Sequence, residues 1–235
     1  YAWQPPCLSL GYSQSSADVD KQRLHANGWD LVRRPTGGKA ILHTDELTYS
    51  VNGPHDDPRL AGSVLESYSR LSQALLNALH LLNIPAEASE LAQDAPAAKG
   101  AAQGPVCFEV PSNYEITVSG KKLIGSAQAR RKEGVLQHGS LPLYGDLGRI
   151  TQALVYPDEE SRSQAAIRLL KRATTVEQVL NKIIAWEDAA QAMAQAFQET
   201  LNIELQPASL TSGELQRAGE LLEAKYNHPA WTERV

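Results

Sequence analysis

Tyr114-Glu-Ile-Thr-Val-Ser-Gly-Lys-Lys-Leu-Ile-Gly-Ser-Ala-Gln128 carries the fold reading. From Tyr114 to Val118 apolar and polar residues alternate, the period of two expected of a strand with one buried face. Ser119-Gly120 then stands where a tight hairpin turn would, because glycine takes the positive φ that such turns require. The hairpin returns Lys122 toward the neighbourhood of the preceding segment, Cys107-Phe-Glu-Val-Pro-Ser112, and Leu136-Gln-His-Gly-Ser140 follows closely. A thiol, an amine cluster and an imidazole therefore share one region of the chain.

Working outward, apolar residues at Val64, Tyr68, Leu71, Leu75, Leu79 and Leu82 step by three and four, predicting an amphipathic helix between Asp57-Pro58 and Ile84 that Pro85 ends. Residues 86 to 106, rich in Ala, Gln, Gly and Pro, read as a flexible connection, with a short strand from Ala86 as the alternative. At the beginning, Tyr1-Ala-Trp-Gln-Pro-Pro-Cys-Leu-Ser-Leu reads as a strand already under way. Beyond Gly145 the pattern turns helical. Glu159 to Arg172 is one helix, Thr174-Thr-Val-Glu177 reads as a capping box for the next, and Trp186, Ala190, Met193, Phe197 and Leu201 continue a stripe. Thr211-Ser-Gly-Glu214 is a second capping box, before Leu215, Ala218, Leu222 and Tyr226; the aromatics among these helical positions and the single Met, Met193, are expected in the core and not in a cofactor site. Strands first and helices after argue for an α+β fold, a mixed sheet covered by helices.

The chain's 235 residues, 42% hydrophobic and 21% charged, suffice for one sizeable core. No run approaches the roughly 20 apolar residues that span a bilayer, and no secretory pattern opens the chain, so a cytoplasmic protein is expected. Two cysteines 100 residues apart, Cys7 and Cys107, are expected reduced, with Cys7 a small buried hydrophobe. Two Cys and six scattered His show none of the short spacings of zinc sites, so no metal is expected. Net charge is −5, but Lys121, Lys122, Arg130, Arg131 and Lys132 give +5 and Arg33, Arg34 and Lys39 give +3; subtracting +8 from −5 leaves −13 on the rest. If the two segments are neighbours, a basic face on an acidic body results, suited to steering a small acidic carrier or a phosphate.

The second motif is Arg33-Arg-Pro-Thr-Gly-Gly-Lys-Ala-Ile-Leu-His43, followed by Leu47-Thr-Tyr-Ser50. Adjacent glycines let backbone amides approach a ligand closely. Together with Lys122-Leu-Ile-Gly-Ser-Ala-Gln128 and Leu136-Gln-His-Gly-Ser140, this string resembles the catalytic domain shared by biotin and lipoate protein ligases and lipoyl-pathway acyltransferases. The resemblance runs from Trp3-Gln-Pro-Pro through Lys225-Tyr-x-x-Pro-Ala-Trp231. It implies a sheet that cradles the ligand beneath the Gly-Gly segment, like the class II biotin/lipoate ligase catalytic domain. It also implies a single catalytic domain over residues 1–235, with an earlier strand and helix missing from this chain. The acyl or substrate binders it implies are Arg33, Arg34, Thr36, Gly37, Gly38, Lys39, His43, Gly125, Ser126, His138 and Gly139. His43 and His138 are supports more than catalysts on this reading.

Within the family, Cys107 points to the octanoyltransferase branch, as does Lys39 where ligases usually carry a third glycine. The resemblance implies that octanoyl passes from acyl carrier protein to Cys107 and then to a lysine of a lipoyl domain or glycine-cleavage H protein. No nucleic acid or membrane partner and no cofactor is expected beyond the covalently bound octanoyl. The alternatives are an ATP-dependent ligase using lipoate through lipoyl-AMP, with Cys107 incidental; a lipoyl amidotransferase; and a non-catalytic carrier-binding protein. A carrier thioester needs no ATP to make an amide, and a protein thiol divides one awkward transfer into two simpler ones. Lys122 matches the lysine aimed at the acyl carbonyl, where an ammonium away from water stabilises developing negative charge. At pH 7, forming a thiolate costs roughly 2 kcal/mol, whereas deprotonating an acceptor lysine of pKa about 10.4 costs roughly 4.6 kcal/mol. The second half-reaction is therefore the harder one. Val106, Ile41 and Tyr49 are plausible by position for the closed end of an acyl tunnel, a steric stop being needed because each buried methylene contributes only about 0.8 kcal/mol.

Overall fold

The structure, a computed structural model, describes residues 1–90, 106 and 114–235. Two sheets form its frame. The smaller has the order β2-β1-β3, with β1 (Cys7–Leu10) parallel to β2 (Asp30–Arg33) and antiparallel to β3 (Ile41–His43). The short helix α1 (Lys21–Ala26) makes the crossover that a parallel β1–β2 pair demands. The larger sheet, β4-β8-β7-β6-β5, is antiparallel throughout: β4 (Glu46–Gly53), β8 (Gly134–Pro142), β7 (Lys121–Arg131), β6 (Tyr114–Val118) and β5 (Glu87–Glu90). The predicted hairpin is the β6–β7 turn, with Ser119 at φ 50° and Gly120 at φ 75°, both left-handed as a type I′ turn requires. The mixed character expected of one sheet thus resides in the smaller of two.

Helices cover both sheets. On the five-stranded sheet, α2 (Val64–Leu81) buries Leu71, Ala74, Leu75, Ala78 and Leu79 and packs against α5 (Trp186–Leu201), which adds Met193 and Phe197. A second core unites Leu8 and Leu10 with Leu24, Ile150, Leu154 and Leu169, the last from α3 (Glu159–Arg172). The α2 helix begins at Val64 instead of Asp57-Pro58, because Ser63 and Glu66 cap each other's backbone amides there. It ends before Pro85, with Asn83 at φ 60°.

Two expectations are corrected. The flexible connection begins later than expected, because Glu87–Glu90 pairs with β6 as an edge strand; residues 91–105 lie outside the described residues. Helix α4 (Val176–Leu180) is capped by Thr175, whose hydroxyl accepts from Gln178 N at 3.2 Å, while Glu177 accepts from Gly145 N at 3.2 Å, so Thr174 and Glu177 form no box. Helix α6 (Ser212–Leu221) has its Thr211–Glu214 box but buries no residue, and Leu215 and Leu222 are 57% and 53% exposed. Capping and the side-chain pairs Gln216–Glu220 and Arg217–Glu220 hold the helix without a core contact. The periodicity revealed a stripe but not whether anything covers it. Among the described residues, no helix is long and apolar enough to cross a membrane.

Candidate active site

A cavity of about 300 Å³ opens at the seam between the two sheets. The small sheet contributes Ser9, Val32, Arg33, Ile41 and His43; β7 and β8 contribute Gly125–Ala127 and His138–Ser140; Trp3, Pro35 and Tyr226 close the sides. The register explains the far wall, since Gly125 pairs with Ser140, Ser126 with Gly139 and Ala127 with His138. Small residues face one another across two strands and leave room. A Cβ on Gly139 would stand 2.5 Å from Ser126 Oγ and 2.7 Å from Tyr49 Cε1, so glycine is required at that position. Behind the wall, the Tyr49 hydroxyl donates to Ser126 Oγ at 2.7 Å and accepts from Gln137 at 3.0 Å.

Seven of the sequence-predicted residues meet at this cavity: Arg33, Arg34, His43, Gly125, Ser126, His138 and Gly139. Thr36 reaches it indirectly, hydrogen-bonded at 2.6 Å to His138 Nε2. Gly37, Gly38 and Lys39 are not in its lining. Their turn is held beside it by Arg34, which donates to Gly37 O at 2.9 Å and Lys39 O at 2.7 Å while also donating to Ser9 O. The turn crosses β1 so closely that a Cβ on Gly11 would lie 1.8 Å from Gly38 O. Of the residues proposed by position for a tunnel end, Ile41 lines the cavity, whereas Tyr49 lies behind the wall and faces a wider hollow against α5.

Arg33, 2% exposed, donates to Gly11 O and Gln14 O at 2.7 Å and to Trp231 O and Thr232 O at 3.1 Å, which ties the C-terminal helix α7 (Pro229–Thr232) to the small sheet. Burial thins the basic face expected from charge counting without removing it, since Arg131 and Lys132 stay exposed. The two segments do approach each other, with Arg131 donating to Pro35 O at 3.4 Å, but Arg33, Arg34 and Lys122 are buried and engaged within the fold.

The two cavity imidazoles differ. His138, next to Thr36, is pushed down to about 4 by burial, then by the charge of Arg34 and by His43, and so is neutral near pH 7. His43 donates from Nδ1 to Glu46 Oε1 at 2.5 Å and stacks on Trp3, with ring centroids 4.3 Å apart and planes 11° from parallel. The same carboxylate oxygen accepts from Thr48 Oγ1 at 2.5 Å and from Ser140 Oγ at 3.0 Å. Glu46, Thr48, Ser140 and Trp3 were missed by sequence reasoning. The one signal available was the spacing His43-x-x-Glu46-x-Thr48 across the β3–β4 turn.

Lys122 is buried outside the cavity lining and pairs with Glu115 at 2.9 Å; its carbonyl accepts from Thr174 N at 3.0 Å. Cys107 lies outside the described residues; its sequence neighbour Val106 is buried and bridges Ala40 in parallel. Cys7 is the buried hydrophobe that was expected, its thiol pushed up to about 12 by burial and then by Asp30.

This architecture is that of the lipoate-protein ligases. The structure superimposes on the bipartite lipoate protein ligase of Thermoplasma acidophilum with a TM-score of 0.78 and 27% identity, covering 97% of this chain and 80% of that one. A lipoate-protein ligase A bound with ATP gives 0.76 and 26% identity, covering 97% and 82%. Residues 1–198 match the lipoyl protein ligase A/B catalytic domain, and the chain belongs to that family. Among curated relatives, Octanoyltransferase LipM of Brevibacillus brevis is 36% identical over 236 residues, covering 100% of this chain and 86% of that protein. Its namesake from Kyrpidia tusciae is 37% identical over 235 residues, covering 100% and 85%.

Proposed function

We propose that this chain is an octanoyltransferase of lipoate biosynthesis. It takes octanoyl from acyl carrier protein onto Cys107 as a thioester and passes it, without ATP, to a lysine of a lipoyl domain or glycine-cleavage H protein. The observation that carries this reading is likeness to Octanoyltransferase LipM along the whole chain. The cavity supports it: an apolar floor of Val32, Ile41 and Ala127 suits an acyl chain, and polar groups gather at His43, His138 and Ser126. In the reaction, Cys107 attacks the donor carbonyl and expels the carrier thiol. The acceptor amine then attacks the new thioester and expels Cys107. Lys122 supplies the positive charge that favours the thiolate and the oxyanion.

Likeness to a ligase bound with ATP favours the second reading, ATP-dependent lipoate ligation. Intact-protein mass spectrometry after mixing with octanoyl carrier protein and no ATP separates the two. A stable octanoyl adduct that is absent in Cys107→Ser is the expected result. Lipoylation that requires ATP and survives the same substitution would establish the ligase instead.

A further inference from the structure

We propose that Tyr12, Arg131, Lys225, Trp231 and Arg234 form the docking surface for the donor, an acidic carrier protein that holds its acyl thioester on a phosphate-linked arm. The identity of that partner rests on the octanoyltransferase reading above. Cations and rings alternate across the patch. Arg131 Cζ lies 5.0 Å from the Tyr12 ring centre, and Arg234 Cζ lies 4.1 Å from that of Tyr12 and 5.4 Å from that of Trp231. Lys225 Nζ lies 4.2 Å from the Trp231 ring and 4.7 Å from the Tyr226 ring. Trp231 meets Tyr12 and Tyr226 edge-on, with ring centroids 5.8 and 5.6 Å apart, and is fixed by its Nε1 donating to Arg33 O at 2.9 Å.

Three observations point to an anionic partner. First, the charge is uncompensated. Among the described residues no carboxylate pairs with Arg131, Lys225 or Arg234, whose contacts are rings, the Tyr12 hydroxyl and the Pro35 carbonyl. The neighbouring Glu233 is engaged by Lys21 at 2.6 Å, and Lys132 adds an exposed cation beside Arg131. The Tyr12 phenol registers the potential: it is held below its ordinary value first by the hydrogen bond and charge of Arg234, then by those of Arg131. Second, the patch borders the acyl cavity, because Tyr226 lines it and Arg131 donates to Pro35, another lining residue. Third, guanidinium forks bind phosphate oxygens in pairs, and rings beneath them restrict the side chains before a partner arrives. The acceptor suits this surface less. It brings a lysine ammonium, which these cations repel, whereas the donor brings an uncharged thioester on an anionic arm.

The test is the association of fluorescently labelled octanoyl carrier protein with the full chain, followed by stopped flow over a range of salt concentrations, with a labelled lipoyl domain as the second partner. Steering by a charged surface raises association rates by roughly tenfold or more, and loss of rim charges removes that gain together with its salt dependence. Arg131→Gln with Arg234→Gln, both at exposed positions, should therefore slow the carrier about tenfold at low salt and flatten its salt dependence. The lipoyl domain should keep its rate. Arg131→Lys with Arg234→Lys keeps the charges and should restore most of the carrier's rate. The inference is overturned by a carrier that does not bind the unsubstituted chain, by a carrier rate unchanged in the glutamine variant, by an equal fall for the lipoyl domain, or by lysine variants as slow as the glutamine ones. A carrier that binds through this patch yet leaves no octanoyl on the chain would overturn the octanoyltransferase reading while the docking surface stands.

Discussion

Glu115→Ala would test how the fold holds the lysine assigned to the oxyanion. The Lys122 side chain is 5% exposed, that of Glu115 is 15%, and the two meet at 2.9 Å. Breaking a buried pair by removing one partner costs about 3–5 kcal/mol, since the other charge remains desolvated. Glu115 is near enough to solvent for water to fill its place, so the lower end, about 3 kcal/mol, applies. For a chain of this size each kcal/mol moves Tm by roughly 2–4 °C, which predicts a drop of about 6–12 °C. Lys122→Met should rescue part of it, because a pair replaced on both sides by apolar groups is often neutral. The assay is a double-mutant cycle in urea on the unsubstituted chain, both single variants and the double. A coupling of about 2 kcal/mol is expected. Exposed ion pairs give about 0.2–1 kcal/mol, so a coupling below about 0.5 kcal/mol would refute the burial argument.

Gly11→Ala places a methyl group against Gly38 O and should displace the 36–39 turn together with the Tyr12 N to Thr36 O bond; urea denaturation should report a loss of about 3 kcal/mol, as for severe overpacking. Cys7, with its thiol near 12, should stay unlabelled by thiol reagents at pH 8 until the chain unfolds, read by mass spectrometry after timed labelling. His138 gives a pH dependence. Its folded pKa of about 4 lies below the unfolded value near 6.5, so the unfolded state binds more protons between the two, and stability falls as pH drops through that window. The loss is about 3 kcal/mol by pH 4 and levels off below; urea curves at pH 7 and 4.5 should show it, and His138→Gln should flatten it.

Much of the fold was legible because its signals are local. Helix α3 has the predicted limits, since Asp158 caps it, Glu159 and Glu160 occupy its first turn and Lys171 and Arg172 its last, complementing the helix dipole at both ends. The β6–β7 hairpin follows from two turn residues. What the sequence hid is set by partners far along the chain. Arg33 reads as a basic binder, yet its hydrogen bonds end on carbonyls near residues 11–14 and 231–232. Its charge count is correct, but its availability is settled by those carbonyls. Glu46 was not singled out, because its role rests on the turn between β3 and β4 that brings it against His43.

The cavity lies where neither hydrophobic core determines geometry. One core belongs to the small sheet with α1 and α3, the other to the large sheet with α2 and α5. Across the seam the sheets are tied by polar contacts: Thr36 to His138, Arg131 to Pro35, and Glu46 with Ser140 beneath His43. Directional bonds set distances more sharply than apolar burial, which is proportional to area and indifferent to orientation. Losing one costs roughly 1 kcal/mol of stability. The same loss lets two rigid layers shift by fractions of an ångström, and misplacement by about 1 Å can cost 100-fold in rate. Thr36→Val is therefore expected to melt within a few degrees of the unsubstituted chain while slowing octanoyl transfer by tenfold or more. A rate that follows the small stability change would show that the cores, and not the seam, hold the site.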